Sequence, residues 1–206
     1  MEIYKKNLEL LSKNHVYSKE MEHDACGVGL IASTEGKKSR AIVEYGIEAL
    51  KAVWHRGAVD ADGKTGDGAG IHVEIPKDFF IEKIQVTGHD YDNSEICVGM
   101  IFLPRNDYSA QENCKTIVES ELTKNNFSIY GWRQVPVNPK VLGEKALQTM
   151  PEIIQVLFKS NDPNLLDKNL ERKIYEIRKR IENKAFDASL NNFYICSISS
   201  KSIIYK

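Results

Sequence analysis

Asp24-Ala25-Cys26-Gly27-Val28-Gly29-Leu30-Ile31-Ala32 places a cysteine directly before Gly-x-Gly and an apolar run. Residues Gly27–Ala32 read as a buried strand. Their spelling also matches the G-x-G-x-x-A of a dinucleotide fingerprint, but that motif follows a strand and opens a helix. Here the glycines precede the strand, and the Met21–Cys26 stretch before them is polar. The cysteine is therefore the informative residue. A thiol is a good nucleophile only as thiolate, and an unperturbed pKa of about 8.5 leaves little of it at neutral pH. It needs a base. No His or Asp is identifiable from spacing as that base. If Cys26 became the first residue of the mature chain, its own α-amino group (pKa about 7.7–8.0) would take and return the proton. That requires cleavage between Ala25 and Cys26. A structural cysteine behind an ordinary N-terminal extension is the other reading, and the residues alone leave both open.

Outward from this stretch, Glu2–Lys13 reads as a short helix and His15–Asp24 as polar without a clear period. Residues 1–25 therefore read as an appendage, a probable propeptide. They carry charge throughout and lack the apolar centre of a secretory signal. Arg40–Trp54 has apolar residues at Ile42, Val43, Ile47, Leu50, Val53 and Trp54, an amphipathic helix. His55–Gly70 is a loop rich in glycine and aspartate. Strands are expected at Ile71–Ile75, Ile96–Leu103, Phe127–Val135 and Ile153–Phe158, and helices at Ser109–Lys124 and Gly143–Thr149. In Leu165–Asn183 the residues Leu166, Leu170, Ile174, Ile177 and Ile181 fall on one helical face. Asn192–Ser199 and Ser202–Tyr205 read as two strands joined by a turn at Ser200-Lys201. Strands interrupted by a few helices point to an α+β fold. No linker-like run divides residues 26–206.

The chain has 206 residues, 42% of them hydrophobic and 28% charged, which is ordinary globular composition and excludes a disordered or fibrous class. Its formal charge of −1 gives no electrostatic footprint for nucleic acid or an anionic membrane. Apolar runs fall short of the roughly 20 residues of a spanning helix. A cytoplasmic location is expected. Cys26, Cys97, Cys114 and Cys196 include no CxxC pair, and the five histidines include no metal-ligand spacing, so no metal is expected. Cys97 and Cys196 sit in apolar strands and Cys114 in a helix, where a cysteine is a small buried hydrophobe. Thr65–Gly70 lacks the Lys-Ser/Thr ending of a phosphate loop. Asp60–Ile71 lacks the sixth and twelfth residues of a calcium loop.

Three strings carry a family resemblance: Asp24–Ala32, Glu48-Ala-Leu50 through His55-Arg56-Gly57-Ala58, and Asp62-Gly-Lys-Thr-Gly-Asp67-Gly-Ala-Gly70. Together they closely resemble the amino-terminal glutaminase domain of the glutamate synthase large subunit, a class II glutamine amidotransferase. Gly131-Trp-Arg133, Val135-Pro136, Leu142-Gly143, Pro151, Gln155, Arg178–Ile181 and Phe193–Ser197 continue it to the end of the chain.

The resemblance implies the N-terminal nucleophile hydrolase fold, a four-layer αββα sandwich, incomplete in this chain. It implies that Cys26 is the catalytic nucleophile after removal of residues 1–25, attacking the side-chain amide of L-glutamine. Arg56 and Gly57 match the family's Arg-Gly element and are expected to organise the nucleophile end. The loop from Arg56 to Lys64 is a candidate lid, with Asp67 ordering it or serving as a plain turn residue. No cofactor is expected in this chain. For the rest of the full-length enzyme the resemblance implies FMN and an iron–sulfur cluster, the synthase domain of the same polypeptide as partner, and either a pyridine nucleotide through a small reductase subunit or ferredoxin as electron donor. In the family, the oxyanion-hole Asn-Gly, the substrate-carboxylate arginine and the amino-binding aspartate lie downstream. This chain contains no Asn-Gly dipeptide. An alternative is therefore a non-catalytic fragment or interaction module.

Overall fold

Strand β2 (Cys97–Leu103) is the spine of the molecule. All its residues are apolar or glycine, and only Phe102 is not fully buried. Such a run fits a strand covered on both faces. In this computed structural model, which describes residues 2–14, 27–54 and 57–206, β2 pairs antiparallel with two strands. These are β4 (Glu152–Ser160) and β5 (Tyr194–Ser199). Strand β3 (Phe127–Gln134) pairs with β4, giving the order β3-β4-β2-β5. Gly99 allows the centre to close, because a Cβ there would lie 2.7 Å from Val156 Cγ1.

One face carries α4 (Tyr108–Lys124) and α6 (Asp167–Asp187). Leu170, Ile174, Ile177 and Ile181 of α6 are buried against Cys97, Ile101 and Leu103 of β2 and Val118 and Leu122 of α4. The 4-3-4 spacing of those residues is what puts them on one stripe. Helix α4 starts where Asp107 accepts from Ala110 N at 2.9 Å, an ordinary N-cap. On the other face, Val98, Met100, Tyr130, Leu157 and Cys196 meet Ile75, Phe80, Ile84, Ile96 and Ile203. That covering layer is a two-stranded antiparallel sheet of β1 (Ile71–Glu74) and β6 (Ser202–Tyr205), together with α3 (Lys77–Val86). Helix α2 (Arg40–Ala52) lies against β1, with Gly46 opposite Ile71. The chain is thus α+β, as the order of strands and helices predicts.

Two details set side-chain direction. A bulge lies between Ile129 and Gly131 of β3. It lets Phe127, Ile129 and then Trp132 all pack against the α4/α6 side. Glu171 of α6 accepts from Ser199 Oγ (2.8 Å), Ser200 N (2.7 Å) and Ser200 Oγ (2.8 Å), which fixes the β5–β6 turn predicted at Ser200-Lys201.

The structure corrects one element. Gly27–Ala32 is not a buried strand: residues 27–32 belong to no sheet, and Val28 and Leu30 are 95% and 89% exposed. Among the described residues it pairs with none of the six strands. Apolar side chains are buried only where a paired backbone gives them a face to cover. Helix α3 carries no clear signature in the sequence. It has ten residues and only two fully buried positions, Phe80 and Ile84, too few for a periodic signal.

Candidate functional site

Helix α1 (Glu2–Asn14) lies in the segment read as a propeptide, and Cys26 itself is outside the described residues. His55 and Arg56 are outside them too. The described part of the site is the loop that resumes at Gly57. Gly57 N donates to Trp54 O at 3.0 Å, which ties the loop to the end of α2. Val59 and Gly66 then form an isolated antiparallel bridge, and Asp60 N donates to Thr65 O at 2.8 Å. The stretch expected as an open loop is therefore a short hairpin. Gly63 turns its tip at φ +69°, a left-handed conformation that glycine adopts without strain.

Asp67 stands at the neck. Its Oδ2 accepts from Ala58 N at 2.7 Å, across nine residues of chain and directly beside Gly57. Asp62 organises the tip. Its Oδ1 accepts from Lys64 N (2.9 Å) and Thr65 N (2.7 Å), and its Oδ2 accepts from Thr65 Oγ1 (2.5 Å). The Thr65 hydroxyl, then the Thr65 and Lys64 amides, hold the Asp62 carboxyl well below the usual carboxylate range. The tip rests on α5 (Glu144–Thr149): Lys145 Nζ donates to Asp60 Oδ2 at 2.6 Å, and Ala146 N donates to Thr65 Oγ1 at 3.4 Å. Neither Asp62 nor Gly143, which precedes α5, stands out in the sequence as a functional residue. The signal available for Asp62 was the Asx-turn potential of Asp-Gly-Lys-Thr.

The other three cysteines are poor nucleophiles. Cys97, Cys114 and Cys196 are free and buried. Burial pushes the Cys114 thiol up to about 11, and raises those of Cys97 and Cys196. Among the described residues, no group of three or more His, Cys, Asp or Glu side chains is placed to hold a metal ion. Among the same residues no helix is long and apolar enough to cross a membrane.

The described part of the site is thus a hairpin clamped at its neck by Asp67 and seated on α5 at its tip. Residues 26–206 match the family model of the class-II glutamine amidotransferases, and the chain belongs to that family of enzymes. It is similar to the glutamate synthase [NADPH] large chain of Azospirillum brasilense, 52% identical over 203 residues that cover 98% of this chain and 13% of that protein. It is also similar to the ferredoxin-dependent glutamate synthase of Pyropia yezoensis, 39% identical over 96% of this chain and 13% of that one. The ferredoxin-dependent glutamate synthase 1 of Arabidopsis thaliana is 38% identical, over 90% and 11%. The chain thus spans 11–13% of the length of these relatives.

Proposed function

We propose that this chain supplies the nucleophile of a glutamate synthase glutaminase, with Cys26 as the first residue of the mature enzyme. The family match supports this most directly, because it begins at Cys26. In this reading the Cys26 thiolate attacks the side-chain carboxamide carbon of L-glutamine. The α-amino group of the same residue returns the proton to the departing nitrogen, which leaves as ammonia. A γ-glutamyl thioester remains, and water attacks it to give glutamate and free thiol. Arg56 and Gly57 order the nucleophile end, and Asp67 holds the hairpin that follows them. The Asp67–Ala58 clamp is in keeping with that role. In the full-length enzyme the ammonia passes to a synthase domain that makes glutamate from 2-oxoglutarate. FMN and the iron–sulfur cluster reside in that part, electrons come either through a small reductase subunit or from ferredoxin, and the enzyme is cytoplasmic.

Replacing Cys26 with Ala in the full-length enzyme should abolish glutamine-dependent glutamate formation and spare ammonia-dependent formation. The active wild type should begin at Cys26 by terminal sequencing. Retained glutamine use by the variant, or an unprocessed start in active enzyme, would defeat the assignment. A second reading rests on the absence of Asn-Gly from these 206 residues. Loss of an oxyanion donor costs on the order of 10²–10³ in rate. Residues 26–206 alone then act as a scaffold, unless the purified piece hydrolyses glutamine in a Cys26-dependent way.

A further inference from the structure

Helix α5 begins after Gly143, a residue with no side chain to cap it. The first turn of any helix leaves backbone N–H groups without intrahelical partners. Here the hairpin supplies those partners, although it lies some eighty residues earlier in the chain. Thr65 Oγ1 accepts from Ala146 N at 3.4 Å, and the Lys145 backbone N–H acts on the Asp62 carboxylate. Lys145 Nζ adds its bond to Asp60. Gly143 has φ −73° and ψ 166°, extended backbone that any residue adopts. Its being glycine therefore answers to space. A Cβ at position 143 would fall well inside 3.0 Å of Thr65 Oγ1, Asp62 Oδ2 and Thr65 N. One of those atoms is backbone, and the two side-chain oxygens are bonded to each other, so no single rotamer change makes room.

We propose that Gly143 is a positioning residue for glutamine use: with Asp62 and Thr65 it latches the hairpin of residues 57–67 onto α5, and so holds that hairpin in its glutamine-competent place. This rests on the glutaminase reading above. Any side chain at position 143 must push the tip outward by on the order of an ångström, and misplacement of that size costs up to about 10²-fold in rate when it reaches the reacting groups. Serine discriminates between a latch and a mere helix support. A serine at 143 caps α5 with its own hydroxyl, so the helix persists while the hairpin is displaced.

The test uses the full-length enzyme with Gly143→Ser, Thr65→Val and the conservative Thr65→Ser. Three quantities are read: KM and kcat for glutamine, the ammonia-dependent rate, and the rate of Cys26 alkylation by iodoacetamide. Gly143→Ser and Thr65→Val should raise KM for glutamine about tenfold or more, because the competent loop is then a minor population. Ammonia-dependent synthesis and alkylation should stay within about twofold, and Thr65→Ser should restore KM, since its hydroxyl keeps both bonds. An unchanged KM in Gly143→Ser enzyme that retains ammonia-dependent activity would overturn the latch. So would equal loss of the glutamine- and ammonia-dependent rates, which marks a folding role only. Failure of the underlying reading looks different: Cys26→Ala enzyme would then still consume glutamine.

Discussion

The Asp67–Ala58 clamp makes a quantitative prediction. The bond is 2.7 Å and its acceptor is a carboxylate. Bonds to charged groups contribute about 1.5–3 kcal/mol when sheltered, and less than half of that survives at exposed positions such as these. One other link also holds the neck, the Val59–Gly66 bridge with its Asp60 N to Thr65 O bond. Asp67→Ala should therefore shift the loop equilibrium by about 1 kcal/mol, roughly a fivefold change in population. Glutamine binding draws the loop back to its competent form, so the loss appears in KM and not in kcat. The expected result is a KM for glutamine raised about two- to tenfold with kcat nearly unchanged, and a smaller rise for Asp67→Asn, whose amide oxygen still accepts from Ala58. Steady-state glutaminase kinetics of the full-length enzyme measure both. Amide hydrogen exchange at Ala58 gives an independent readout, because its protection should fall in Asp67→Ala. A hundredfold drop in kcat at constant KM would refute the clamp and put Asp67 in contact with the reacting atoms. No change in either constant would reduce it to a turn residue.

Two further predictions concern the scaffold. Gly99→Ala should destabilise the fold by about 1–3 kcal/mol, since its methyl meets Val156 Cγ1 in a packed core. Adding Val156→Ala should relieve part of that cost, so strictly additive urea-denaturation energies for the pair would count against the overpacking account. Asp92 is held well below the usual carboxylate range, first by Lys159 and then by Ser94. Its folded pKa is depressed, so its contribution is present above the unfolded pKa and is lost as pH falls through the folded one. Asp92→Asn should accordingly be less stable than the parent at neutral pH, with the gap closing below about pH 4. A gap that stays constant down to pH 2 would show that the ion pair is not its origin.

Where local pattern and tertiary demand coincide, the elements were legible. The spacing of Leu170, Ile174, Ile177 and Ile181 defines one stripe of α6, and those four residues are buried in the core. The apolar run of β2 announces a strand covered on both faces. Cys97, Cys114 and Cys196 read as packing residues and are buried. Gly27–Ala32 misled because an apolar run states a wish for burial but not the presence of a partner. Helix α3 was missed because two buried residues in ten give no period. The hairpin after Gly57 was legible only as a glycine- and aspartate-rich loop, since its closure depends on Asp67 reaching back nine residues to Ala58.

Cys26 before Gly-x-Gly, and the long string from His55 through Gly70, carried the family resemblance by themselves, and the family match over residues 26–206 agrees with it. Family membership is written in residue type and short-range order, which a chain carries in plain form. The tertiary structure decided what holds the loop. Asp60, Asp62 and Thr65 find Lys145, Ala146 and the bare Cα of Gly143 about eighty residues away. That contact arises because an uncapped helix end and a carboxylate-bearing hairpin tip satisfy each other once the chain has folded. Neither partner shows in its own local sequence what it will meet.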